Sequence, residues 1–187
     1  GSGESEIRRY CLENDLVEAI IGLPTDMFYN TGISTYIWIL SNRKPEARRG
    51  QVQLIDASAF WQKMRKSLGS KRKEMSEEHI ATVTRLFGSF TEARLALVLD
   101  ANGKEIDRQV LLPGEAAPEA PDGCKVRVQP IARIFPNQAF GYRTITVERP
   151  QLDEAGAPVL GQKGKQKGQP QADPKRRDTE NVPLDEE

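Results

Sequence analysis

Residues 7–42, IRRYCLENDLVEAIIGLPTDMFYNTGISTYIWILSN, constrain what this chain can fold into more than any other stretch. They hold a helical pattern, an apolar run, a loop with two adjacent aromatics and a second apolar run. Ile7, Tyr10 and Cys11 recur at the three-to-four spacing of one helix face. Glu4 and Glu6 suit the positive N-terminal end of that helix, and Asn14-Asp15 ends it. Residues 16–23, LVEAIIGL, read as a strand buried on both faces, as in a parallel sheet. Pro24 closes it, because proline brings no amide hydrogen to a ladder. Residues 34–40, STYIWIL, are β-branched and aromatic and read as a second strand. Residues 25–32 then form a loop at the carboxyl end of the first strand, where ligands of open α/β sheets gather. This order fits the last part of a parallel α/β sheet, so the chain reads as the end of an enzyme.

Downstream, VQLI at 52–55 alternates and reads as a third strand. Its short link to the second strand leaves no room for a helical crossover and predicts antiparallel neighbours. A short helix is expected near Phe60-Trp61. Residues 76–87, SEEHIATVTRLF, form a helix with Ser76 as N-cap and acids in its first turn. Two apolar runs around Asn102-Gly103 predict a hairpin with a tight primed turn. KVRVQPI and YRTITV are further strand candidates, bracketing turns at Phe135-Pro136 and at residues 140–142. Beyond Pro150 the chain turns to Gly, Lys, Gln, Asp and Pro, a composition that rarely builds a core. The expected organisation is an α/β part over 1–94, a β-rich appendage over 95–150, and an extended polar linker over 151–187. The bases of that last stretch, Lys163, Lys165, Lys167, Lys175, Arg176 and Arg177, are outnumbered there by acids and read as linker residues.

Composition narrows the chemistry. Among 187 residues there are 27 bases, 27 acids and a single histidine. One histidine leaves no His cluster for a metal and no simple His-dependent triad. His79, beside two glutamates in a helix pattern, reads as a surface residue. Two cysteines without CxxC spacing suggest reduced thiols and a cytoplasmic setting. No apolar run approaches the ~20 residues of a membrane helix, so no membrane partner is expected.

Residues 61–73, WQKMRKSLGSKRK, carry six bases and no acid. Lys63, Arg65, Lys66, Lys71, Arg72 and Lys73 are candidates for DNA-backbone contact, because clustered bases neutralise phosphates irrespective of sequence. The plain alternative is a solvated helix face.

One family resemblance covers nearly the whole chain. It rests on IRRY at 7–10, ENDLVEAIIGLP at 13–24, FYNTGI at 28–33 and TYIWILSN at 35–42. LIDAS at 54–58, FWQKMRKSLGSKR at 60–72, FGYRTITVERP at 140–150 and RDTENVPL at 177–184 continue it in order. In these the chain resembles the modification subunit of type I restriction–modification systems, an adenine-specific DNA methyltransferase. The resemblance implies the C-terminal part of a doubly wound, Rossmann-like sheet, with 16–23 as its fifth strand and an antiparallel closing pair. It implies S-adenosylmethionine as cofactor and double-stranded DNA, a specificity subunit and a restriction subunit as partners. Family members bind the cofactor at a Gly-rich loop after the first strand and carry Asn/Asp-Pro-Pro-aromatic after the fourth. Neither pattern occurs in these residues, so the chain alone is expected to be inactive.

In such enzymes the adenine leaves the duplex and is held by stacking and by contacts to its edge. The resemblance places a base-stacking aromatic at the 24–30 loop, with Phe28 first and Tyr29 second. Asp26 and Asn30 are candidates for the same pocket. Phe28 or Tyr29 as a lid over the local core, and Asp26 or Asn30 as turn caps, are the alternatives. Two other functions stay open. One is a non-catalytic nucleic-acid-binding module. The other is the end of a different doubly wound enzyme, such as a nucleotide-dependent oxidoreductase.

Overall fold

Val17, Ala19 and Ile21 are buried, while Glu18, Ile20 and Gly22 between them are only partly covered. That two-residue period defines strand β1 (Val17–Gly22) and points one of its faces at a core. The expected burial on both faces is therefore met on one. The computed structural model describes residues 2–162, 164 and 167–183. It divides into two units, residues 1–137 and 138–187.

In the first unit, helix α1 (Ser2–Glu13) leads into β1. Its Ile7 and Tyr10, on the one helix face read from their spacing, are 67% and 61% exposed. Strand β2 (Tyr36–Leu40) pairs antiparallel with β1, and β3 (Gln51–Asp56) pairs parallel with it. β1 therefore lies between β2 and β3, and these two are not the antiparallel neighbours expected. The link at 41–50 is long enough to pass the end of β1. It is pinned there by the Ser41 N–H on the Leu16 carbonyl and by Lys44 Nζ, which donates to Asp15 at 2.6 Å and to the Gln51 carbonyl at 2.7 Å.

The sheet continues through β6 (Ala93–Leu99), β7 (Glu105–Leu111) and β8 (Lys125–Pro136), in the order β2-β1-β3-β8-β6-β7. The expected 95–150 appendage is thus corrected: its first three strands belong to the main sheet. β8 makes the join, because its 12 residues reach β6 through one half and β3 through the other. Phe135-Pro136 lies in this strand rather than in a turn. The result is a mixed α/β sheet with the one parallel pair β1–β3, consistent with a piece of a Rossmann-like sheet.

Ile21, Ile55, Phe60, Leu86, Leu95, Leu97 and Ile131 form the core under this sheet. Each such side chain contributes about 1.5–3 kcal/mol by leaving water. Helix α2 (Glu77–Ser89) closes the core with Val83 and Leu86. Ser76 caps it as the sequence predicts. The turn joining β6 to β7 is not the primed type: Gly103, at φ 77°, donates to the Asp100 carbonyl, and Asn102 keeps an ordinary φ. Asp100 Oδ1 accepts the Asn102 and Lys104 amides and holds this wider turn.

No helix forms at Phe60-Trp61. Residues 62–74 are instead a hairpin, β4 (Gln62–Leu68) and β5 (Lys71–Glu74), turning at Gly69-Ser70. In the second unit, β9 (Tyr142–Val147) pairs antiparallel with β10 (Asp178–Pro183). Isolated bridges join Pro150 to Ala172 and Leu160 to Pro170 between them. The expected linker at 151–187 is corrected to this extent: backbone pairing holds it where side-chain burial cannot. Lys163, Lys165 and Leu184 lie outside the described residues.

Candidate functional site

The apolar run that makes β1 ends at Gly22-Leu23-Pro24, and the chain cannot extend the ladder past the proline. The loop after it is closed at its base by the Leu23 N–H on the Thr35 carbonyl at 2.9 Å, and at its tip by a bridge between Phe28 and Thr31. Asp26 and Asn30 both adopt φ 59°, a left-handed conformation that Asp and Asn tolerate better than other side-chain-bearing residues. Between these two bends Phe28 and Tyr29 project outward, 46% and 66% exposed. They are not a lid over the core.

The basic run and the aromatic loop, far apart in sequence, meet here. The Asp26 carbonyl accepts the backbone N–H of Arg72 at 2.9 Å and of Lys73 at 3.1 Å. Lys73 Nζ donates to Thr25 Oγ1 at 3.2 Å and sits 4.2 Å from the centre of the Trp61 ring. The Tyr29 ring lies on the hairpin turn: a Cβ at Gly69 would stand 2.8 Å from Tyr29 Cε2. The two candidate groups are therefore one surface, built from the β1–β2 loop and the β4–β5 hairpin.

Its electrostatics are mostly positive, with Glu74 at the end of β5 engaged by Gln62 Nε2 at 3.1 Å. Lys63, Arg65, Lys66 and Arg72 are exposed, and Lys71 and Lys73 half-buried. Among the described residues none of the six is ion-paired with a carboxylate. Lys63 stands directly opposite Lys73 across the ladder, a pairing of like charges that destabilises a hairpin. Such a surface offers a phosphate the counter-charge that the protein withholds.

Sequence reasoning assigned no role to Gly69, Thr25 or the Trp61–Lys73 contact. Gly69-Ser70 between two basic runs is the signal that was available, a turn dipeptide inside a supposed helix. A concavity lies elsewhere on the first unit. It is a cleft of about 330 Å³ bordered by Arg94, Leu111, Pro130 and Arg133. Nothing among the described residues ties that cleft to Phe28.

A family model described as N-6 DNA Methylase matches residues 1–109, which include the loop and the hairpin. The chain belongs to this family. The type I restriction enzyme MjaIX methylase subunit of Methanocaldococcus jannaschii is 32% identical over 90 residues, 48% of this chain and 15% of that subunit. The HindI methylase subunit of Haemophilus influenzae is 43% identical over 56 residues, 30% of this chain and 12% of that subunit. The crystal structure of a type I restriction-modification methyltransferase subunit from Streptococcus thermophilus is 30% identical, with a TM-score of 0.41. That match covers 48% of this chain and 17% of the other. The chain thus spans only a small part of the length of the N-6 methylases it matches.

The carboxyl ends of the parallel pair β1 and β3 are each engaged within the protein. At the carboxyl end of β1 the space over Gly22 is filled, with the Tyr36 ring 3.4 Å from where a Cβ would stand. At the end of β3, Asp56 Oδ1 is engaged by the Ser58 amide at 2.9 Å. Neither strand end leads through a Gly-rich turn into a helix.

Proposed function

We propose that this chain is part of the modification subunit of a type I restriction–modification system. The whole protein transfers a methyl group from S-adenosylmethionine to the amino group of adenine in double-stranded DNA, in the cytoplasm, together with a specificity and a restriction subunit. This stretch supplies the side of the site that receives the base. Phe28 stacks on the extruded adenine, with Tyr29 beside it, and Asp26 and Asn30 set the bends that present both rings. Lys63, Arg65, Lys66, Lys71, Arg72 and Lys73 hold the DNA backbone. The methyl donor binds to residues outside this stretch, so the chain by itself transfers no methyl group.

The observation that carries the reading is the hydrogen-bonded junction of the exposed Phe28 loop with a basic hairpin that lacks acidic partners. An adenine-N6 enzyme must supply both functions at one place, because the base leaves the stack while its strand stays bound. Stacking is worth about 1–3 kcal/mol per base, so Phe28→Ala in the complete methylase should lower methyl transfer about 5- to 150-fold. Affinity for S-adenosylmethionine should not change. Unchanged turnover in both Phe28→Ala and Tyr29→Ala would remove the loop from the reaction.

The lack of acidic partners along the hairpin also suits a second reading, a nucleic-acid-binding module without catalysis. The complete protein would then bind DNA but transfer no methyl group under any cofactor condition.

A further inference from the structure

The proposed function gives the aromatic loop and the basic hairpin separate tasks, and their junction ties the tasks together. Building on that functional reading, we infer that the β4–β5 hairpin is the element that positions the target-base loop, and that a DNA phosphate between Lys63 and Lys73 secures it in place.

Three contacts make the junction, at three levels of the chain. Backbone meets backbone where one carbonyl, Asp26 O, takes two consecutive amides, those of Arg72 and Lys73. Those amides come from β5, so any shift of β5 along its ladder moves the bend at Asp26. Side chain meets side chain where Lys73 Nζ bridges the Trp61 ring and Thr25 Oγ1. A ring meets a turn where Tyr29 covers Gly69.

The last contact divides the work between the two aromatics. Tyr29 has its ring against the hairpin turn and is a positioning residue. Phe28, exposed and bridged to Thr31 through its backbone, is left to face the base.

The hairpin that does this positioning carries a flaw of its own. Its register is irregular between Lys63 and Leu68, and Lys63 opposes Lys73. Repulsion across the ladder loosens the strand that holds Asp26. A phosphate between the two ammonium groups cancels that repulsion and tightens β5 against the loop. Backbone contact thereby comes first and makes the loop ready for the base, so sequence-independent binding prepares base capture.

The test uses the complete methylase with its specificity subunit and a short duplex with 2-aminopurine at the target position, whose fluorescence changes as it leaves the duplex stack. Gly69→Asn is the central variant. Asn tolerates the local φ of +58°, so the substitution introduces its side chain against the Tyr29 ring with little backbone strain. It should leave duplex affinity and its salt dependence within about twofold of the parent, since all six bases remain. It should weaken capture of the extruded base about fivefold or more, the lower end of a lost stacking contact. Phe28→Ala should weaken capture at least as much. Tyr29→Ala combined with Gly69→Asn should behave as Tyr29→Ala alone, because the clash requires the ring, and this pair decides the matter should Gly69→Asn alone fail to fold. Lys63→Gln removes the repulsion together with the charge, so it should reduce duplex affinity while base capture at saturating protein holds or improves.

Base capture unchanged in Gly69→Asn, with Phe28→Ala still impaired, would overturn the positioning role and leave the base site standing. Base capture at saturating protein falling in Lys63→Gln would overturn the phosphate step. Capture unchanged in Phe28→Ala and Tyr29→Ala alike would instead contradict the base site itself.

Discussion

Lys63 and Lys73 face each other across the β4–β5 ladder, on one face of the hairpin that grips the Asp26 loop. Directly opposed like charges cost roughly 0.2–1 kcal/mol. Lys63→Gln should therefore raise melting stability at low salt by a few tenths of a kcal/mol, and added salt should erase the gain. The same variant should flatten the salt dependence of DNA binding by about 0.9 per lost phosphate contact. Thermal melts and binding isotherms over a salt series read both effects. A more stable variant that binds less tightly is the signature of a charge kept for its ligand.

Arg48 is a second basic residue with an opposite role. Its guanidinium donates to Glu18 at 3.2 Å and to the carbonyls of Phe87 at 2.5 Å and Gly88 at 3.1 Å. It lies over the Phe87 and Phe90 rings at 4.5 and 4.8 Å. It therefore closes the C-terminal end of α2 onto β1. Arg48→Ala strands a half-buried carboxylate and two carbonyls, and should cost about 3–5 kcal/mol. Arg48→Ala with Glu18→Gln should recover part of that loss. Urea midpoints of the three variants check the order.

The start of α2 gives the protein a pH response. Ser76 Oγ accepts the His79 amide at 3.2 Å, and His79 Nδ1 accepts the Ser76 amide at 3.3 Å. Burial, then the charge of Arg108, hold the imidazole below its ordinary value of 6.5, against the opposing pull of Glu78 and Glu105. A base with a depressed folded-state value favours folding in its neutral form. Its contribution is complete above 6.5 and is lost as pH falls through the lower folded value. Protonation also removes the lone pair that the Ser76 amide uses. Since His79 is the only histidine, one imidazole resonance followed by NMR gives the midpoint, expected below 6.5. Ser76→Ala should cost about 1 kcal/mol at neutral pH, and less in acid.

Asp15 supplies an acid limb of a different kind. Burial opposes its charge, yet Lys44, the Gly50 amide and the Asn137 amide together hold its carboxyl below the ordinary 3.8. An acid with a depressed value stabilises the fold above 3.8, and the contribution is lost as pH falls through the folded value. Asp15→Asn should lower stability at neutral pH by about 1.5–3 kcal/mol, the worth of hydrogen bonds to a charged group. It should also flatten the acid end of a stability–pH curve. Lys44, whose side chain is 2% exposed, then keeps the Gln51 carbonyl but is buried without a carboxylate to balance its charge.

What could be read in the sequence obeys a physical division. β3 and α2 were legible because each repeats apolar residues at the period of its own backbone, and Ser76 marked a start; β1 was legible as a short apolar run closed by Pro24. The neighbours of a strand were not legible. Nothing in VQLI says that its second edge pairs with β8 residues 132–136, about eighty positions away. The hairpin at 62–74 was hidden because lysines and arginines stand on both its faces and leave no apolar period. Gln53 was hidden for the opposite reason. It alternates as a polar residue should, yet it is fully buried, donating to the Leu86 and Thr91 carbonyls at 3.0 Å each. Phe28 and Tyr29 are candidates from the resemblance, and the contact of the Tyr29 ring with Gly69, which separates the two, is visible only in the fold.

The central claim is that the extruded adenine meets the loop at Phe28. Photocrosslinking tests it most directly, with a photoreactive base at the target position, bound to the complete methylase and irradiated before peptide mapping. The crosslink is expected on the peptide carrying Phe28 and Tyr29, and Phe28→Ala should diminish it. A crosslink confined to another segment, such as the residues around Arg94 and Arg133, would contradict the claim.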